Sequence, residues 1–161
     1  MSGPWIPEVG DALAKLIRET DLGLRPDRVQ RSWAQWKDEL ATIGGLVVDV
    51  VPVTTPQPEE QGLSHREAVQ FTFQFDIVMR RKFRKEDRDA EGQIPNDKID
   101  PHANYVRDIL LLLPKRELPD CSGIAFFEQR LRILGSQRHL REMGQFTAVV
   151  RVTYQREEDL S

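Results

Sequence analysis

From Val69 to Met79 every odd position of the chain is apolar. Val69, Phe71, Phe73, Phe75, Ile77 and Met79 take every odd position, with Gln70, Thr72, Gln74 and Asp76 between them. Side chains of a strand point alternately to its two faces, so the pattern predicts a long strand, one face apolar and the other polar. A helix would scatter those six residues around its circumference. Each buried side chain of this size contributes about 1.5–3 kcal/mol before entropy costs. This strand is therefore expected to anchor the core.

The remaining pattern supplies the elements around it. Val9, Leu13, Leu16 and Ile17 recur at helical spacing after Pro4 and Pro7, with Glu8 and Asp11 near the positive end of the helix dipole. Residues 27–33 predict a short strand, 34–43 a helical turn closed by Gly44-Gly45, and 46–53 (LVVDVVPV) a central strand that weakens at Pro52. Asp100-Pro101 reads as an N-cap followed by proline at the first helical position, opening a helix to about Leu113. Residues 124–134 mix Phe126, Phe127, Leu131 and Ile133 with arginines in a fourth strand. The last strand sets Phe146, Ala148, Val150, Val152 and Tyr154 on one face. Loops too short for parallel crossovers predict an α+β fold: a mostly antiparallel sheet of about five strands with two main helices on one face.

Length and composition fit one domain over 1–161, with 54–64 and 80–96 as extended loops or an arm. With 23 basic and 26 acidic residues the chain is near charge balance, whereas a dedicated nucleic-acid binder usually carries a basic surplus. Alternating aromatics can also stack bases on a sheet, but no glycine–aromatic signature accompanies Phe71, Phe73 and Phe75. They are expected in the core. The start MSGPWIPEVGD has no signal-peptide character, and no apolar run approaches the roughly 20 residues of a membrane helix.

Candidate chemistry is sparse. His65, His102 and His139 are far apart and match no metal-ligand spacing, so surface or loop polarity is the expectation for each. Cys121 is a single thiol without a nominated base and reads as a small hydrophobe. No glycine-rich phosphate loop and no carboxylate pair in contrasting environments is present. The expectation is a non-enzyme with no cofactor and no metal.

Two segments remain as candidate contact surfaces. One is 54–64, with Pro56, Glu59 and Glu60. The other is 80–92, with Arg80, Arg81, Phe83, Arg84, Lys85 and Arg88. Mixed charge, proline and glycine predict that neither orders itself without a partner. The arm is either a partner contact or a solvated hairpin tip, and its four acids argue against phosphate tracking. Phe83 is either its apolar anchor or the end of the long strand's buried face.

In order, VQRSW, LVVDVVPV, SHREAVQFTFQFDIVMRR, a mid-chain helix and RHLREMGQFTAVVRVTY resemble the tail-terminator and head–tail joining (neck) proteins of tailed bacteriophages. These are the minor tail or minor capsid proteins, and the likeness spans about 8–155. It implies a non-enzymatic virion subunit made in the host cytoplasm and incorporated into the tail or neck. Such a subunit forms a ring with itself, typically a homohexamer. The ring caps the tail tube protein and presents a face to the head connector or head-closure protein. DNA passes through its lumen without specific binding, and no membrane is involved. The alternatives are a head-closure or neck adaptor subunit, a nucleic-acid-binding module and, with no residue constellation behind it, a small ferredoxin-like enzyme.

Overall fold

The computed structural model describes residues 3–34, 40–53, 59–60 and 68–159. Along the chain, α1 (Ile6–Glu19) precedes β1 (Arg28–Arg31), the single turn α2 (Leu40–Ile43), β2 (Val47–Pro52), β3 (Glu59–Glu60) and β4 (Ala68–Lys82). Then follow α3 (Asn96–Leu112), β5 (Ala125–Leu134) and β6 (Gln145–Asp159). The sheet runs β1-β2-β4-β6-β5, with β3 added on β4. All pairings are antiparallel except β1 with β2. The fold is α+β, as the pattern predicts.

The alternation of β4 sets the layering. Phe73, Phe75, Ile77 and Met79 are buried, as are Ala148, Val150, Val152 and Tyr154 at matching positions of β6. α1 covers this face with Val9, Leu13, Leu16 and Ile17, and α3 with Tyr105, Val106, Ile109 and Leu112, in one continuous core. Phe71, half-buried, closes one end of it. The Trp5 ring meets Phe71 edge-on at 5.4 Å, and the Arg156 guanidinium lies 4.9 Å from its centroid. Arg156 also donates to the Pro4 carbonyl, tying the amino-terminal approach to the end of β6.

Local contacts hold the helices to the sheet. The Trp5 N–H donates to Glu8 Oε2 at 3.2 Å, capping α1. At its other end Arg18 donates to the Val29 carbonyl at 3.1 Å, fixing α1 to β1. The α3–β5 connection returns to α1, where Lys15 pairs with Asp120 at 2.9 Å and Cys121 Sγ lies 3.7 Å from the Glu8 carbonyl.

Several expectations need correction. β1 and β2 pair in parallel, because the connection between them, carrying α2, is long enough for a crossover. Glu59–Glu60 in the expected loop form β3, opposite Gln70 and Val69. α3 begins at Asn96 with Pro95 at its N-cap, so Pro101 lies inside the helix instead of starting it. β6 runs on to Asp159, well past Tyr154. β4 continues to Lys82, so the arm starts later than the charge run suggests.

Candidate subunit interface

The face of the sheet turned away from α1 and α3 sets buried Val47, Val78 and Val149 among polar side chains, and its charges are largely paired. Asp49 on β2 is fully buried; Arg80 Nη2 on β4 donates to its Oδ2 at 2.8 Å and Gln30 Nε2 to its Oδ1 at 3.3 Å. Asp76 receives two hydrogen bonds from Arg151, at 3.0 and 3.1 Å, across the β4–β6 ladder. That forked contact raises the Arg151 pKa and spends its donors within the sheet. Gln70 with Gln155 and Gln74 with Thr153 continue the same cross-strand ladder.

The candidate contact residues do not converge on one site. Pro56 lies outside the described residues. Glu59 and Glu60 sit beside the start of β4, whereas the 84–93 segment follows its end. A strand of this length separates them by about 40 Å at 3.3 Å per residue. Arg80 belongs to the buried ion pair and not to an exposed arm. Arg81 donates to His102 Nε2 at 3.2 Å and lies 5.0 Å from the Phe83 ring. Phe83 is buried in the core, so it ends the strand's apolar face and is no anchor for a partner. Arg84 and Lys85 are exposed, and Arg88 is half-buried.

Nor is the arm an unstructured extension. A 3-10 turn, Lys85–Asp87, follows Arg84, whose N–H donates to Asp87 Oδ2 at 2.8 Å. Asp89 Oδ1 accepts from the Glu91 and Gln93 N–H groups at 2.9 Å each, and Arg88 donates to the Gly92 carbonyl at 3.2 Å. Short-range hydrogen bonds close it into a compact loop, because aspartates at these offsets mimic a backbone turn.

The surface that stands out is β5. Among the described residues it is the outermost strand on its side, paired with β6 alone, and it exposes Phe127 (55%), Leu131 (40%), Ile133 (40%) and Leu134 (50%). Register shifts between Phe126 and Glu128 and between Leu131 and Ile133 disturb the ladder, turning side chains out of simple alternation. Arg130 lies opposite Arg151 and Glu128 opposite Thr153, so both occupy the polar face; Arg132 is exposed at the second shift. Among the described residues no carboxylate pairs with Arg130 or Arg132. A polar groove lies between β5 and the ladder, lined by Gln74, Glu128, Arg130, Arg151 and Thr153 among others. Sequence reasoning missed this edge, although the interleaving of large apolar residues with arginines over 126–134 was its visible signal.

The remaining candidate residues divide between core and surface. His102 is buried, contrary to the surface expectation, between the rings of Phe83 and Phe146 at 5.7 and 5.4 Å. Its Nδ1 lies 3.0 Å from the Lys98 carbonyl, an acceptor, so Nδ1 carries the proton and Nε2 accepts from Arg81. Burial first, and the Arg81 charge second, lower its pKa to about 4. His139 Nδ1 lies 2.8 Å from Thr147 Oγ1. His65 is outside the described residues. Cys121 is buried as expected, and burial raises its thiol pKa.

Tyr105 and Tyr154 bury phenols without a hydrogen-bond partner among the described residues, and burial raises both pKa values. Those residues include no cluster of three or more His, Cys, Asp or Glu side chains able to hold a metal ion. None of their helices is long and apolar enough to cross a membrane. No family model and no curated protein matches the chain.

Proposed function

We propose that the chain is a structural subunit of a phage tail terminator, forming a ring that caps the tail tube and joins it to the head connector. The order and character of its strands support this reading, since they resemble that family of neck proteins. The single structural observation that carries it is the long outer strand β5, with four large apolar side chains exposed on a rigid sheet. Exposed apolar side chains along an outer strand, here on both faces of its edge, invite association, and an open strand edge offers unpaired backbone groups to a neighbour. Repeated by rotation, a contact between two different surfaces of the subunit closes into a ring. The test is the copy number and position of this chain in an assembled particle. Several copies in one ring at the tube's head-proximal end are expected. A single copy, or a location away from the neck, would overturn the proposal.

A further inference from the structure

β5 ends the sheet, and its outer side carries no backbone partner among the described residues. Between the two register shifts, its ladder with β6 is regular over Glu128–Leu131. Within that stretch Glu128 lies opposite Thr153 and Arg130 opposite Arg151, so both side chains stand on the polar face. Gln129 and Leu131, opposite the buried Val152 and Val150, stand on the core face. Glu128 and Arg130 are exposed, and among the described residues neither has an ion-pair partner.

A free carboxylate and a free guanidinium two residues apart, on one face of an open edge, are complementary to the same edge of another copy. A second β5 laid antiparallel against the first, about a two-fold axis perpendicular to the sheet, keeps the polar faces of both copies on one side. Residues across the joint must then share a face, which limits the register. Setting Gln129 against Arg130 would place opposite faces side by side. A register centred on Glu128 sets that carboxylate against itself, and one centred on Arg130 sets guanidinium against guanidinium. One centred on Leu131 brings Arg130 opposite Arg132. Centred on Gln129, the joint places Glu128 of each copy across from Arg130 of the other. Opposite charges directly across a ladder stabilise it, and like charges destabilise it.

We propose that the outer edge of β5 pairs with β5 of a second copy of this chain, antiparallel and centred on Gln129, through reciprocal Glu128–Arg130 contacts. The exposed Phe127 comes level with Leu131 of the second copy, taking apolar surface out of water at either end of the joint. One patch serves both copies, so the contact closes at two and does not propagate. The pair belongs to the free chain and stands without the ring reading. It covers an edge that would otherwise be open to any passing strand, and it must open before β5 can meet another neighbour.

The test follows the full chain by sedimentation from micromolar to millimolar concentration, beside E128R and R130E. Each variant is first shown to keep the wild-type melting temperature to within a few degrees. The wild type is expected to form a dimer, weakened by added salt. Either variant alone sets like charges across the joint at both ends and should dimerise at least roughly tenfold more weakly. Mixed in equal amounts the two should recover the dimer, because one then offers only basic side chains at these positions and the other only acidic ones. The double variant E128R/R130E should pair with itself and not with the wild type.

A wild type that stays monomeric throughout would overturn the pair. So would either single variant dimerising like the wild type, a mixture no tighter than its components, or a larger assembly indifferent to both substitutions. None of these results decides the ring reading, which stands or falls on copy number in the particle.

Discussion

At the residue scale, the side chain least legible in the sequence is His102. Position 102 follows a proline inside a charged stretch, and nothing in its neighbours announces burial. Burial follows from α3 starting at Asn96, which turns the imidazole inward between Phe83 and Phe146 and within reach of Arg81. The ring is held neutral, with a pKa near 4 against an ordinary value of 6.5. Protonation therefore favours the unfolded chain. The sign follows directly: above about pH 6.5 both states are neutral at this site and nothing changes. As the pH falls from 6.5 to 4 the unfolded state gains the proton first, and stability is lost. Below 4 both are protonated and the loss is complete, at about 3 kcal/mol from roughly 1.4 kcal/mol per pKa unit. Urea midpoints between pH 7 and 4 should fall more steeply for the wild type than for His102→Gln. Parallel curves would show that carboxylates elsewhere account for the whole acid response.

At the element scale, strict periodicity was legible and the ends and pairings were not. Phe73, Phe75, Ile77 and Met79 of β4 and the last strand's apolar face appear in the core as expected, because period-two alternation has no competing reading over that length. Pro101 misled the start of α3: a proline after aspartate marks the first helical turn by preference, yet this helix carries it farther in, losing the bond to the carbonyl of Asp97. The parallel pairing of β1 with β2 was hidden because sequence spacing bounds a crossover without requiring one.

Gly10 shows how tightly α1 sits on the sheet. A Cβ built there would lie 2.6 Å from Cδ of Arg31 and 3.0 Å from a ring atom of Phe75, whose side chain is buried. Alanine improves helix propensity by about 1 kcal/mol at an exposed site, but here the added methyl must push aside the Arg31 side chain and press on the packed Phe75 ring, at a typical cost of about 1–3 kcal/mol. Gly10→Ala is therefore expected to lower the melting temperature. A higher one would mean that α1 can lift from Phe75 without loss.

At the scale of the whole molecule, one core joins everything, and what projects from it decides what it can meet. The 84–93 loop projects beyond the end of β4, beside the turn between β5 and β6: Lys82 donates to the Met143 carbonyl, and the Phe83 N–H to Gly144 at 2.8 Å. Gly144 has φ +60°, and its bare Cα leaves room for the Arg88 guanidinium, tying the loop to the turn. The loop contributes no core side chain after Phe83, and its hydrogen bonds are mostly internal. Replacing Lys85–Glu91 with a short Gly-Ser linker should leave folding intact and move the melting temperature by only a few degrees, as changes away from a core do. Assembly should respond differently. In the proposed ring, this compact, charged loop beside the β5–β6 turn would be a surface on which an adjoining ring could dock. Particle yield from the linker variant should drop while its subunits still form rings. Normal yield would make the loop a solvated tip; loss of the rings themselves would place it in the contact between subunits.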